Sequence, residues 1–182
     1  MTAFSCQFLN RVSSRAKRGI CIAWIVLTVG TVFGQRTFPD GWRRITRAEA
    51  TDDWRLKSRT RFLSVKADFD GDGKPDIAEF LLNPITNQCA LFVKVSSTAK
   101  WYRLDEPFDI QALDRFGIDF VKPGKYQTAC GKGYGDYACA HGEPDFLKLS
   151  NPAIDMFYRE SSDWIYYWDR KPGKFAEVLM SD

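Results

Sequence analysis

A short acidic segment between two strand-like runs limits the folds available to this chain. The segment is Asp68-Phe69-Asp70-Gly71-Asp72-Gly73-Lys74-Pro75-Asp76, and we call it the acidic loop. It follows residues 62–67 and precedes residues 77–82, two runs whose composition favours β-strands over long amphipathic helices. The sequence therefore predicts a strand–loop–strand hairpin at this point.

The acidic loop carries the oxygen ligands of a hard cation. Four carboxylates this close together repel one another unless a cation lies among them. Gly73 allows the sharp turn that directs the oxygens inward. Ca²⁺ takes 6–8 oxygen ligands and fits this set of carboxylates better than Mg²⁺, which prefers a strict octahedron. Zn²⁺ is disfavoured because the loop contains no His or Cys. The predicted ligands are the carboxylates of Asp68, Asp70, Asp72 and Asp76 and the backbone carbonyl of Lys74.

Two kinds of calcium site share this spacing. Glu79 falls at position 12, as in an EF-hand, but Pro75 and the strand-like flanks oppose a helix–loop–helix. Residues 65–76 resemble the calcium loop of FG-GAP/VCBS-type repeats, in which the loop joins two antiparallel strands. The resemblance covers about residues 62–82 in one copy, so it implies the loop and its metal and no propeller. An EF-hand-like site and a metal-free acidic turn stay open as alternatives.

The ion is expected to be structural. All predicted ligands come from one contiguous loop, which leaves no obvious place for a substrate. A metal that binds only the folded form stabilises it by mass action.

Residues 1–34 are typical of a targeting segment. Residues 1–18 are polar and cationic, and residues 19–33 form an uncharged apolar run, short for a bilayer span of about 20 residues. We expect a signal peptide cut before Gln35, or else an uncleaved N-terminal anchor. Both place residues 35–182 outside the cytoplasm, either periplasmic or secreted, or tethered to the inner membrane.

The positive net charge of +3 comes from this segment. Four of the 26 bases lie in residues 1–34 and none of the acids do, so the remainder carries 22 bases against 23 acids. Nucleic-acid binding therefore loses its compositional support. Residues 36–66 carry nine bases and four acids, which predicts either a solvated face or a contact with an acidic partner or a membrane surface.

Three cysteines remain after the targeting segment. Cys130 and Cys139 flank a glycine-rich segment, and in an oxidising compartment we expect them to form a disulfide. Cys89 lies in an apolar run and is expected to be a buried free thiol. The alternative is a bridge from Cys89 to either of the other two.

The chain from residue 35 to 182 reads as a single, mainly β (α+β) domain. Short strand-like runs bounded by turn residues predict an antiparallel meander, sandwich-like, with two or three short helices. A capping box at Thr46 and the run 109–116 before Gly117 are the helix candidates. Pro123-Gly124 predicts a hairpin between the runs 118–121 and 125–128.

Two other regions are candidate binding surfaces. The segment closed by the expected disulfide is a possible binding loop, with Lys132, Tyr134, Tyr137 and His141 as its candidate residues. Trp164, Tyr166 and Trp168 share one strand face, which is either core or a surface that stacks on sugar rings or a partner protein.

No catalytic residue is assigned from the sequence, and a non-catalytic binding or inhibitory module is the favoured function. The expected partner is a protein or a glycan, with the membrane reached only through an uncleaved N-terminal segment. One alternative is a hydrolase of envelope or extracellular polymers, using His141 and carboxylates drawn from Asp155, Glu160 or Asp163. Another is a membrane-tethered structural component. The layout also resembles that of small exported bacterial proteins, which implies no particular activity.

Overall fold

Antiparallel strands dominate the part of the chain that the structure, a computed structural model, describes: residues 38–133, 139 and 142–181. Three short 3₁₀ helices span Arg47–Glu49, Asp53–Lys57 and Ile110–Asp114. No helix within these residues is long and apolar enough to cross a membrane. The strands are β1 (Arg43–Arg44), β2 (Ser64–Ala67), β3 (Asp76–Asn83), β4 (Gln88–Val95), β5 (Lys100–Arg103), β6 (Phe108–Asp109), β7 (Phe116–Val121), β8 (Gly124–Gln127), β9 (Phe146–Leu149), β10 (Ala153–Tyr158), β11 (Asp163–Asp169) and β12 (Lys174–Ser181).

The β3–β4 hairpin forms the centre of the first sheet. β1 and β2 pair with the outer edge of β3, and β5 and β6 pair with the outer edge of β4. Most residues of both central strands are buried, so both faces of the hairpin are covered. On the outer face, Leu81, Ala90 and Phe92 pack beneath Trp42 and Trp101. Such nearly continuous apolar strands are typical of a sheet with no face exposed to water.

The second sheet has the order β12-β11-β10-β7 and packs across the first. One apolar cluster includes Phe80, Leu91 and Val93 from the first sheet and Ile154 and Met156 from the second. The main core therefore lies between two antiparallel sheets, and the mainly β prediction is confirmed.

A two-stranded third sheet, β8–β9, covers part of the outer face of the second sheet. Leu147 and Leu149 of β9 pack with Ile165, Val178 and Met180. The hairpin predicted at Pro123-Gly124 is wrong, because β7 pairs with β10 and β8 pairs with β9. The turn residues mark a chain reversal, but each flanking strand buries its apolar side chains against a partner distant in sequence.

The predicted helices are 3₁₀ turns at the described positions. Thr46 and Glu49 form the expected capping box around a three-residue turn. Asp109 caps the second candidate by accepting a hydrogen bond from the backbone N–H of Gln111, at 2.8 Å. That turn ends at Asp114, and Phe116 already belongs to β7. Short 3₁₀ segments of this length are common as connectors between other elements.

Arg55 is fully buried and joins its own segment, residues 52–61, to residues 113–116, which are about 60 positions away. Its Nε lies 3.1 Å from Asp52 Oδ2, and its Nη1 donates to the carbonyl of Arg61 at 2.9 Å. Its Nη2 donates to the carbonyls of Leu113 and, at 2.7 Å, Phe116. The basic residues of 36–66 are therefore used in part inside the domain.

Replacing Arg55 with alanine should destabilise the domain. The substitution leaves buried carbonyls without donors and opens a cavity, so we expect a loss of roughly 2–4 kcal/mol in the free energy of unfolding. Urea denaturation followed by circular dichroism measures it. Arg59→Ala, at an exposed position of the same segment, is the matched control and should change stability by less than about 0.5 kcal/mol. Equal effects of the two substitutions would contradict the bridging role of Arg55.

Candidate functional site

The acidic loop connects β2 to β3, with Ala67 and Asp76 as the pair of residues that closes the hairpin. Phe69, inside the loop, is fully buried in the main core. Glu79, the EF-hand position-12 residue, lies three residues into β3, where its Oε2 is 2.9 Å from Nε of Arg44. The loop is therefore flanked by two strands and not by helices, and Glu79 forms an ion pair with Arg44.

Three carboxylates of the acidic loop converge. One oxygen from each of Asp68, Asp70 and Asp76 lies within 4.8 Å of the others. Asp76 is buried, and Asp68 and Asp70 are half-buried. Oxygen atoms gathered at this spacing could hold a metal ion, and carboxylates are the ligands that hard divalent cations take.

The other two predicted ligands lie outside this cluster of three. Asp72 and Lys74 are exposed, and Asp72 Oδ1 accepts a hydrogen bond from the backbone N–H of Lys74 at 2.7 Å. Both residues belong to the same loop as the cluster, but their oxygens are not among those that converge.

Backbone amides hold the clustered carboxylates in place. Asp68 accepts hydrogen bonds from the amides of Gly71, Asp72 and Gly73, at 2.8 to 3.0 Å. Asp76 accepts from the amide of Phe69 at 2.9 Å through one oxygen. Amide donors stabilise the ionised form of a carboxyl group. The oxygens are therefore positioned by the fold of the loop itself.

The neighbouring turns support the loop through residues that the sequence analysis did not select. Ser96, in the β4–β5 turn, donates its backbone N–H to Asp76 Oδ1 at 2.8 Å, and Ser97 Oγ donates to Asp70 Oδ2 at 2.8 Å. Asn151, in the β9–β10 turn, donates its side-chain amide to the carbonyl of Phe69 at 3.2 Å. These contacts join residues 20 to 82 positions apart, so no local motif signals them.

Gly71 allows one of these turns to approach closely. Its φ is +78°, and a side-chain carbon there would lie 2.6 Å from Asn151 Nδ2 and 2.7 Å from Arg170 Nη2. Any larger residue would clash with these two side chains unless they moved. L side chains also disfavour this φ.

The disulfide prediction is confirmed. Cys130 and Cys139 are bonded, with their Cα atoms 5.1 Å apart. Cys89 is a buried free thiol, and burial raises its pKa to about 12. The alternative bridges from Cys89 therefore do not form.

Of the four candidate residues of the possible binding loop, the structure describes Lys132. Tyr134, Tyr137 and His141 lie outside the described residues. Lys132 is described, and its Nζ donates a hydrogen bond to the backbone carbonyl of Met180 at 2.7 Å. At the start of the loop, buried Thr128 donates its hydroxyl to the carbonyl of Pro144 at 2.6 Å. The beginning of this segment is thus attached to β12 through Lys132 and to the stretch before β9 through Thr128.

Removing the disulfide should lower stability. We expect the double variant Cys130→Ser/Cys139→Ser to lose about 2–3 kcal/mol, because the loop gains conformational freedom in the unfolded chain. Urea denaturation measures the loss. A reducing agent should shift the wild-type transition to that of the variant and leave the variant unchanged. A wild type insensitive to complete reduction would argue against a stabilising bridge.

A second group of acids lies on the outer face of the second sheet. Asp155 of β10 is paired in register with Asp119 of β7 and Ile165 of β11, and Asp163 lies two residues from Ile165. Burial raises the pKa of Asp155 to about 7, and the charges of Asp163 and Asp119 add to the effect. Burial also raises the pKa of Asp163, which the positive charge of Lys132 opposes.

Asp155 and Asp163 line one cavity of about 320 Å³, which we call the Asp155 cavity. Asp155 Oδ1 is buried and has no hydrogen-bond partner among the described residues. Glu160, the third carboxylate considered for hydrolysis, is 84% exposed and lies 2.9 Å from Arg159. All three candidate carboxylates line a second, neighbouring cavity of about 350 Å³, whereas Asp155 and Asp163 line the Asp155 cavity without Glu160.

The Asp155 carboxyl should make stability depend on pH. An acid whose pKa rises on folding binds its proton more tightly in the folded state, so its contribution is present below about pH 4 and is lost as the pH rises through about 7. Asp155→Asn should therefore stabilise the domain at pH 8, by on the order of 1–3 kcal/mol. The difference should be smaller at pH 5 and should nearly vanish below about pH 4. Thermal melts of both proteins at the two pH values measure it, and a difference independent of pH would contradict the assignment.

The aromatic stripe of β11 is part of the core. Tyr166 is 4% exposed, and Trp164 and Trp168 pack against the main core. A groove of about 490 Å³ beside it is lined by Tyr102, Phe175 and other residues of β5 and β12. The stripe is therefore not the exposed stacking surface that was one of its two interpretations.

Comparison with known proteins adds no relative. No family model, no curated protein and no solved structure matches the chain. Function is therefore inferred from the residues and geometry of the sites themselves.

Proposed function

We propose that this chain is an exported β domain, stabilised by Ca²⁺, that acts as a non-catalytic binding or inhibitory module. The observation that carries the proposal is the cluster of Asp68, Asp70 and Asp76, held by backbone amides at the edge of the main core. Three anionic groups within 4.8 Å repel one another, and a divalent cation removes this repulsion.

The choice of calcium rests on the number and kind of oxygen donors in the loop. The three clustered carboxylates, the carboxylate of Asp72 and the carbonyl of Lys74 are all oxygen donors within nine residues. Ca²⁺ accepts such irregular, oxygen-rich sets, whereas Mg²⁺ requires a near-ideal octahedron. The resemblance of residues 65–76 to FG-GAP/VCBS-type loops favours the same ion.

A structural role for the ion follows from the supports of the loop. Phe69 ties the loop to the main core, and Asp76 ties it to the β4–β5 turn through Ser96. An ion bound here links these contacts and favours the folded state in proportion to its concentration.

The site of action that we propose is outside the cytoplasm. The apolar run 19–33 after a cationic stretch favours export, and the Cys130–Cys139 bond suits an oxidising compartment. N-terminal sequencing of exported protein tests this: a start at Gln35 excludes a membrane tether, and an intact terminus in a membrane fraction favours it.

Binding is assigned to the surface around the disulfide-closed segment. Lys132 of that segment lies on the wall of the Asp155 cavity, so a loop and a cavity meet there. The partner class is a protein or a glycan. Nucleic acid is disfavoured by the charge balance of residues 35–182.

Chelation of calcium should lower the thermal stability of the wild type. We expect EDTA to reduce Tm by several degrees and excess Ca²⁺ to restore it, because a ligand at about 100 times its Kd adds about 2.7 kcal/mol. Asp70→Asn keeps the shape of the side chain but removes one charge, so its Tm should respond little to Ca²⁺ and should not fall in EDTA. Glu106→Gln, at an 89% exposed position, is the charge-matched control and should respond like the wild type. Differential scanning calorimetry measures all three, and a wild-type melt that is identical in EDTA and Ca²⁺ would refute the metal assignment.

The binding role has a separate test. Affinity capture from cell-envelope extract, with and without Ca²⁺, should recover one defined protein or glycan in the presence of the ion. Recovery of no partner together with cleavage of an envelope polymer, lost in Asp155→Asn, would make the domain a hydrolase.

A further inference from the structure

We propose that the Asp155 cavity binds an aliphatic ammonium group, with Asp155 and Asp163 as its anionic partners. This inference rests on the proposed binding role and names the chemistry that the binding surface recognises. The ammonium group could belong to a free amine or to a lysine side chain of a partner protein, and the two sources share the same contact.

The first argument is the unpartnered oxygen of Asp155. Asp155 Oδ1 is buried and accepts no hydrogen bond from any described residue, although Asp155 lines an open cavity. The ionised carboxylate therefore lacks compensation within the fold, and a cation bound on the cavity side of Asp155 offsets the cost of keeping it ionised. An ammonium group brings up to three N–H donors and a positive charge.

The second argument is the charge around the cavity. Asp155, Asp163, Lys132 and the phenol of Tyr126 line the cavity, and Asp119 of β7 lies beside Asp155 in register. Arg159 and Glu160, 2.9 Å apart, line a neighbouring cavity that Asp155 and Asp163 also line. The wall of the Asp155 cavity thus carries two acids and one cation, Lys132, whose Nζ donates to the carbonyl of Met180. The excess negative charge favours a cationic ligand over an anionic or neutral one.

The third argument is the shape and polarity of the remaining walls. Val121, Ile165 and Met180 line the cavity together with the acids, and a volume of about 320 Å³ is at the lower end for small-molecule sites. The phenol of Tyr126 donates to the carbonyl of Lys122 at 2.9 Å, which holds its ring as a fixed wall. Apolar walls beside two carboxylates suit an alkyl chain that ends in a cationic nitrogen.

A divalent metal fits this cavity less well. Among the described residues, the group of ligand oxygens found within 4.8 Å of one another is that of the acidic loop, and Asp155 and Asp163 are not part of such a group. A metal also prefers an oxygen-lined shell over aliphatic walls. Metal binding is therefore kept as an outcome that the experiment separates.

The dependence of affinity on pH distinguishes binding to Asp155 from an ion pair at the surface. The ammonium group requires the ionised carboxylate, and the pKa of Asp155 is raised to about 7. Binding should therefore tighten by roughly tenfold between pH 6 and pH 8, with release of a proton. An exposed ion pair between groups that stay charged shows no such dependence in this range.

The experiment is isothermal titration calorimetry of the purified protein, saturated with Ca²⁺, at pH 6 and pH 8. The probes are 1,5-diaminopentane and Nα-acetyl-lysine methylamide, and N-butylacetamide is the uncharged control. We expect at least one charged probe to bind about tenfold more tightly at pH 8, and the uncharged probe not to bind. Binding of the diamine alone indicates a free amine as ligand, and binding of the lysine derivative indicates a lysine of a partner.

Substitutions of the two acids test which of them contacts the ammonium group. Asp155→Asn should weaken binding at least tenfold and abolish the dependence on pH, and Asp163→Asn should weaken binding by a smaller factor. Glu106→Gln removes one negative charge at an 89% exposed position that does not line the cavity, so binding should stay within about threefold of the wild type.

Four results would overturn the inference: no binding of either charged probe at millimolar concentration, equal binding by wild type and Asp155→Asn, binding of the uncharged probe, or competitive displacement of the diamine by added Ca²⁺. If the Ca²⁺-dependent Tm and the captured partner persist in the first case, the proposed function stands and only the ammonium assignment fails. If the partner is also absent, the binding role fails with it.

Discussion

The carboxylate of Asp76 is where the acidic loop and the sheets depend on each other. Asp76 is the first residue of β3, it is 2% exposed, and its two oxygens accept hydrogen bonds from the amides of Phe69, Asp70 and Ser96. A buried carboxylate without these donors would carry a desolvation penalty of several kcal/mol. Because the donors come from the loop and from the β4–β5 turn, the side chain fixes both connections at one end of the β3–β4 hairpin. The loop can therefore gather acids only because the hairpin is already in place beside it.

The three-layer order of the sheets then explains the second acidic group. The second sheet buries one face in the main core and carries the small β8–β9 sheet on the other. A strand in such a sheet has no fully solvated face, so Asp155, on the partly covered side, loses water while Asp119 on the edge strand β7 stays exposed. The same layering that buries Leu147 and Leu149 thus raises the pKa of an acid a few residues away.

The parts of this structure that were predictable from sequence are those determined locally. The acidic loop, the strands on either side of it, the Thr46 capping box and the Cys130–Cys139 bond each involve residues within about ten positions, so their composition and spacing are sufficient. The β8–β9 pairing and the Arg55 contacts were not predictable, because they join segments whose partners are set by burial across the whole domain. The predicted helix over 109–116 shows where local prediction ends. Asp109 caps a 3₁₀ turn, as its side chain predicts, but the turn ends before Phe116 because Phe116 begins the strand that pairs with β10. Within the acidic loop, the gathering of the Asp68, Asp70 and Asp76 carboxylates was predictable, whereas the supports from Ser97 and Asn151 depend on turns that approach only after the sheets form.

The two acidic groups differ in how their charge is compensated. In the acidic loop, backbone amides donate to both oxygens of Asp68 and of Asp76, so the fold itself supplies partial positive charge to these carboxylates. In the Asp155 cavity the strands supply no such amides, because the backbone N–H groups of a paired strand are already used in the sheet and lie in its plane. A carboxylate on a strand face must therefore be neutralised by something outside the sheet, either a proton or a cation. This difference in backbone geometry underlies the two proposals, an ion that completes the acidic loop and a ligand that exchanges at the strand face.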